Sequence, residues 1–285
     1  MPNLRLRKKE HLSSFRKIAI GTWRTAYDPS VYGTLKLRAD LIVAYIEEFR
    51  RRTGKRLTLS HVMAKAVAIT LHQMPDANAI LRFNRIYLRE DIGVFFQVAM
   101  EDKDTGEIDL SGATVFEAHT KSLEQIVDEF QAKVDTVKAG TDKELEGTRS
   151  AFKSIPYFLL NTVTNLLGLL LYTFNLDLRF AGVPRDAFGS AMVTNIGSLG
   201  LEEGYVPLVP YSRVPLLLAV GAVQREPVVD GDAIVPGQVL RVFATFDHRV
   251  LDGMHAAKMA KTLTHLFDDP VAGFGPLPPV PPASA

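Results

Sequence analysis

The sequence predicts an α/β domain, on three observations. Apolar runs of strand length recur at residues 92–100, 215–223 and 239–246. The first is apolar at almost every position, as a central strand covered on both faces is. Between the runs lie stretches with apolar residues at helical spacing, such as Leu123, Ile126, Val127, Phe130 and Val134.

In chain order, residues 1–14 are polar and basic and read as a solvated arm. Phe15-Arg16-Lys17-Ile18 begins an ordered segment, and Leu35-Lys36-Leu37-Arg38 alternates like a strand. Asp40 suits the N-cap of a helix carrying Leu41, Ile42, Tyr45, Ile46 and Phe49. Arg50, Arg51 and Arg52 close that helix, where cations favour the dipole, and Gly54 follows. Ser60 opens a second helix through Val62, Met63, Ala66, Val67, Ile69 and Leu71, which Pro75 stops. Strands are expected at 86–88 and 92–100, a turn at 102–106, and an amphipathic helix at 121–138. A hairpin with an Asp-Gly turn is expected over 228–235. Residues 271–285 read as a flexible Pro-rich tail.

Composition narrows the function. The 285 residues are 47% hydrophobic and 23% charged with net charge +1, so nothing points to nucleic acid. There is no cysteine, which removes disulfides, thiolate nucleophiles and Cys-type zinc sites, and fits a cytoplasmic setting. No metal-ligand spacing stands out, and residues 1–10, basic and without an apolar core, do not read as a secretory signal.

The chemistry concentrates where the 239–246 run ends, in Asp247-His248-Arg249-Val250-Leu251-Asp252-Gly253. A helical pattern follows on Ala256, Ala257, Met259, Ala260, Leu263, Leu266 and Phe267, so His248 sits between a strand and a helix. A second strand-like stretch ends in Thr194-Asn195-Ile196-Gly197, with Thr194 placed 54 residues before His248. The other histidines, His11, His61, His72, His119, His255 and His265, read as structural.

Both motifs resemble those of the acyltransferase component of the 2-oxo acid dehydrogenase complexes, whose fold is shared with chloramphenicol acetyltransferase. Met63-Ala64-Lys65-Ala66-Val67-Ala68, Pro75-Asp76-Ala77-Asn78-Ala79 and Ile92-Gly93-Val94 also match, so the resemblance runs over about residues 15–270. It implies a mixed β-sheet packed with helices, in a homotrimer whose active sites lie at subunit interfaces. It implies coenzyme A as substrate and a dihydrolipoyl group as acceptor, with no metal. His248 is then the general base, Thr194 the oxyanion donor, and Asp252 completes the catalytic set by holding the His loop. Asp252 is expected to pair with Arg16, or failing that Arg7. Asp247, Arg249, Gly253, Asn195 and Gly197 are expected to support the site. Residues 1–14 are too short for a lipoyl domain, so the lipoyl group is expected in trans, on a lipoyl-bearing protein or 2-oxo acid dehydrogenase subunits. A trimer without a larger shell is expected.

Two stretches depart from the family pattern. Residues 101–118 are longer and more polar than usual. Residues 154–176 carry no charge at all, within an apolar insertion of about 154–180. That length reaches the roughly 20 residues a bilayer span needs, although Pro156, Asn161, Thr162, Asn165 and Gly168 interrupt it. A helix packed on the domain or in a subunit interface, a membrane contact, and an apolar-substrate role all remain open. The alternative to an enzyme is a non-catalytic scaffold or assembly protein that retains the fold.

Overall fold

The apolar runs of the C-terminal half pair with one another, and the main sheet grows outward from them. The computed structural model describes residues 2–10, 29–101, 108–138 and 156–279. Its N-terminal elements are β1 (Leu6–Lys8), β2 (Ser30–Arg38), α1 (Asp40–Thr53), α2 (Leu59–Gln73), β3 (Ala79–Arg82) and β4 (Arg85–Arg89). Then come β5 (Gly93–Glu101), β6 (Ile108–Phe116), α3 (Leu123–Lys138) and α4 (Leu160–Gly168). The chain continues through β7 (Ala191–Asn195), β8 (Leu216–Asp230), β9 (Ala233–Asp247), α5 (Gly253–Asp268) and α6 (Pro270–Phe274).

The main sheet has the order β2-β9-β8-β7-β5-β6, and a small sheet has the order β1-β4-β3. β7 runs parallel to both β5 and β8, while the other pairings are antiparallel, so the sheet is mixed. Alternation gives the main sheet two distinct faces. Val94, Phe96, Ala191, Val193, Leu216, Leu218, Val220, Val242 and Phe246 join the main core with residues of α1, α2, α3 and α5. Phe95, Met192 and Leu217 belong to a separate cluster on the opposite face, as do Ala219 and Phe243. Helix α2 lies in the middle of the core, with ten of its fifteen residues buried. Fully burying a side chain such as Val62 or Met63 stabilises the fold by roughly 1.5–3 kcal/mol.

Several sequence expectations are corrected. Residues 2–10 are not a solvated arm: Leu4 is buried, and β1 pairs with β4 through Leu6↔Arg89, Arg7↔Leu88 and Lys8↔Tyr87. Asn3 and Leu4 are held by Leu171, Asn175 and Asp186, which lie outside the short N-terminal stretch where solvation was expected. Asp40 is the first residue of α1 rather than its N-cap. Its carboxylate accepts from Gln238 N at 2.8 Å and from Arg38 Nε at 2.9 Å, which depresses its pKa, the Gln238 bond most. The cap of α2 is Thr58, not Ser60. The hairpin expected over 228–235 does form, with Asp230 opposite Ala233, and it is the outer end of the long β8–β9 pair, which has a register irregularity between Val220 and Val223.

The polar 101–118 stretch supplies β6, paired along β5 from Gly93↔Phe116 to Glu101↔Ile108. The turn expected at 102–106 lies outside the described residues. Residues 271–279, expected as part of a flexible tail, are instead held on the domain. Phe274 on α6 is buried, Gly275 O accepts from Tyr45 Oη at 3.0 Å, and Pro278 O accepts from Arg52 Nη1 at 3.1 Å. The apolar insertion forms α4 followed by a wider π-type turn over Leu169–Thr173. Leu171 and Tyr172 anchor it against Leu4 and Ile80. Among the described residues no helix is long and apolar enough to cross a membrane.

Candidate active site

His248 follows the last residue of β9, and its backbone is held from both sides. Its N–H donates to Pro29 O at 3.0 Å, while Asp247 N–H donates to Pro215 O at 2.9 Å. The chain then turns back, because Val250 N and Leu251 N both donate to Asp247 O at 2.9 Å. Val250 and Leu251 are buried and pin this turn in the core. The Asp247 carboxylate takes Arg249 Nη2 at 2.7 Å and Arg249 Nε at 2.9 Å, a two-pronged ion pair within the loop.

Asp252 ends the loop by capping α5. Its Oδ1 accepts from Met254 N at 3.1 Å and His255 N at 3.2 Å. The Nδ1 of His255 returns to the Asp252 backbone N–H at 3.3 Å, closing a capping box. Arg16, the expected partner of Asp252, lies outside the described residues. Arg7 is not that partner: it sits on β1 opposite Leu88, and no ion pair joins it to Asp252. His255, read from the sequence as structural, takes this capping role. The signal was present in the Asp-x-x-His spacing across a helix start, which is a capping-box position. Gly253 begins α5, and a Cβ there would meet nothing within 4 Å, so the fold of one chain does not require glycine at this position.

Thr194 sits near the end of β7, on the same face as Met192 by alternation. Asn195 then caps a 3-10 turn over Ile196–Leu199, accepting Ser198 N at 3.0 Å through its side chain. Its Nδ2 donates to Ser60 Oγ at 3.3 Å, so the turn rests on the start of α2. His61 is buried beside Ser60, and burial pushes its pKa down to about 4. Gly197 is required sterically: a Cβ would lie 2.5 Å from Gly221 C and from Ala222 N.

The two motifs do not meet within one chain. Thr194 pairs with Ala219 on β8, whereas Phe246 on β9 pairs with Leu216. His248 therefore lies at the level of Val214, five residues from Ala219. That is about 17 Å along the strands, with two strand spacings, about 10 Å, across the sheet. Because β7 and β9 run in opposite directions, their C-terminal ends leave opposite ends of the sheet. A cavity of about 300 Å³ between the sheet and the helices is lined by Leu35, Val67, Val242, Phe246, Ala256 and Leu263 among others. It lies on the helix-covered face, across the sheet from Thr194.

Comparison with known proteins places the fold. A dihydrolipoamide acetyltransferase from Azotobacter vinelandii superposes with TM-score 0.63 and 20% identity, covering 93% of each chain. A probable dihydrolipoamide acetyltransferase from Listeria monocytogenes gives TM-score 0.62 and 18% identity over 92% of this chain and 94% of that one. By sequence, the dihydrolipoyllysine-residue acetyltransferase component of the acetoin cleaving system of Bacillus subtilis is 23% identical over 270 residues. That match takes 92% of this chain but 55% of the relative, so this chain spans about half the relative's length. The family profile of the 2-oxoacid dehydrogenases acyltransferase (catalytic domain) matches residues 7–153 and 186–274 and passes over the apolar insertion between them. With the profile matched over most of its length, the chain belongs to the 2-oxoacid dehydrogenases acyltransferase (catalytic domain) family.

Proposed function

We propose that this chain transfers an acyl group between coenzyme A and a dihydrolipoyl thiol, at sites that two copies of the chain build together within a homotrimer. The observation that carries this reading is the separation of His248 from Thr194: one sheet holds them at opposite ends, so a complete site takes His248 from one copy and Thr194 from the next. Membership of the acyltransferase family supports the reaction class. Relatives named as dihydrolipoyllysine-residue acetyltransferase and lipoamide acyltransferase support the pair of thiols. A lipoyl-bearing protein is then the partner, and the setting is cytoplasmic.

The chain's own residues supply a proton relay and an oxyanion donor. A thiol has a pKa of about 8.5 and is a weak nucleophile until deprotonated. A neutral imidazole can take its proton as general base. His248 does so through Nε2, its Nδ1 being buried. The thiolate attacks the thioester carbonyl, and Thr194 Oγ1–H of the neighbouring copy donates to the oxyanion that forms. The old carbon–sulfur bond then breaks, and the departing thiolate takes the proton back from His248. One such donor is worth about 3 kcal/mol at the transition state. No covalent acyl-enzyme is involved. Asp247, Arg249 and Asp252 hold the loop and exchange no proton.

The test uses acyl-coenzyme A thioesters and free dihydrolipoamide. His248→Ala is expected to lower kcat by about 10²–10⁴-fold. Thr194→Ala is expected to lower it by at least about 10²-fold. Co-expressed, the two variants should regain activity, because some interfaces then combine an intact His248 with an intact Thr194. Inactive mixed trimers would refute the shared site. Full activity in His248→Ala would refute the enzyme reading and favour the scaffold.

A further inference from the structure

The insertion that the family profile passes over leaves an apolar helix face uncovered. On and beside α4, Phe158 is 81% exposed, Leu166 52%, and Leu159 and Leu169 39% each. Positions 159, 162, 166 and 169 follow a 3-4-3 spacing, so they form one stripe along the helix. No residue from 154 to 176 is charged. An uncharged stripe of this kind marks an interaction surface rather than a solvated one.

Its place in the fold says what covers it. Gly168, on the other side of α4, packs over Tyr211 O. The Tyr211 ring meets Phe188 at 5.5 Å, and Phe188 meets Phe95 at 5.3 Å, on the sheet face that carries Thr194. Tyr211 also stands four residues before Pro215, whose carbonyl accepts the Asp247 N–H beside His248. Helix α4 therefore lies on the Thr194 side of the sheet, at its His248 end. That is where a second copy must bring its own Thr194. The turn after Thr194 presents Leu199, 66% exposed, and Leu201, 50% exposed, and residues 194–201 carry no charge. Two uncharged apolar surfaces thus flank the two halves of one shared site. A lipid surface fits less well, because interfacial helices place Lys or Arg along their polar face and α4 has neither.

We propose that α4 extends the catalytic interface, its Leu159–Leu166–Leu169 stripe receiving the Leu199–Leu201 turn of the neighbouring copy. This rests on the shared-site reading above. The consequence is that an element outside the family pattern helps seat the oxyanion donor against His248.

The cysteine-free chain makes the contact directly testable by disulfide trapping. The full chain carrying Leu166→Cys with Leu199→Cys, and separately Leu169→Cys with Leu201→Cys, is oxidised and run on a non-reducing gel. Covalent dimers and trimers are expected from at least one double variant and from none of the single variants. Leu166→Glu with Leu169→Glu should raise the trimer's dissociation constant at least tenfold while far-ultraviolet circular dichroism stays unchanged. Cross-linking by Leu166→Cys alone would overturn the proposal, since the stripe would then pair with itself. No cross-link in a trimer that still passes the mixed-variant test would also overturn it, leaving the shared site intact. A monomer that fails the mixed-variant test would remove the shared site and this proposal together. Sedimentation with phosphatidylglycerol vesicles, lost in the Glu variant without any cross-link, would replace the second copy with a lipid surface.

Discussion

His248 and Thr194 leave one sheet at opposite ends, and the two ends are held in different ways. At the His248 end, charged side chains reinforce the backbone bonds: Arg249 grips Asp247, and Asp252 caps α5. At the Thr194 end, close backbone approach does the holding, with Gly197 pressed on Gly221 and Ala222 and the turn resting on Ser60 beside a neutral, buried His61. In the proposed mechanism the His248 loop must hold an imidazole in one orientation while it changes charge, and paired charges can absorb that change. The turn after Thr194, the proposed donor, needs a fixed position, and steric contact supplies it. The contrast teaches that the proposed activity is vulnerable to charge deletion at one end and to added volume at the other.

Acid offers the strongest way to separate the two ends. His61 has a folded pKa near 4, below the ordinary value of 6.5. Its contribution is therefore complete above pH 6.5 and is lost as pH falls towards 4, by about 3 kcal/mol in all. His61→Gln should flatten the dependence of urea-unfolding free energy on pH across that window; an unchanged slope would show that His61 is not held neutral. Next in size, Gly197→Ala should cost about 2 kcal/mol, because backbone atoms rather than a movable side chain oppose the new Cβ. A thermal-unfolding midpoint equal to that of the wild type would contradict the steric account. Asp252→Ala should cost about 1 kcal/mol through loss of the α5 cap, measured by chemical denaturation. Activity should fall further than stability, because the same residue ends the His248 loop. Gly253→Ala should be the mildest change, stabilising by about 0.5 kcal/mol, since its Cβ meets nothing and alanine favours the helix. A marked loss of activity there, with stability kept, would place Gly253 against a neighbouring copy and sharpen the contrast between the ends.

Much of the fold could be read locally. The helical spacing of residues 121–138 became α3, and the apolar run at 239–246 became the inner half of β9. The errors occur where a distant partner takes over a local signal. Asp40 looks like a cap, but Gln238, 198 positions away, takes its carboxylate. The basic start looks solvated, but β4 offers it a strand edge. Phe274 is buried because Tyr45 and the core receive it, which no property of the Pro-rich stretch announces.

For the site, the sequence determined the residue types and their order: a histidine between a strand and a helix, an Asp at the helix start, and a hydroxyl and an Asn before a glycine turn. Those follow from short-range rules of spacing, capping and steric fit. Only the tertiary structure decided that the two motifs stand about 17 Å apart along the strands, because β7 runs parallel to β8 while β9 runs antiparallel to it. Strand direction is set by crossover connections and by which faces find cover, and both are properties of the packed sheet rather than of any window of sequence.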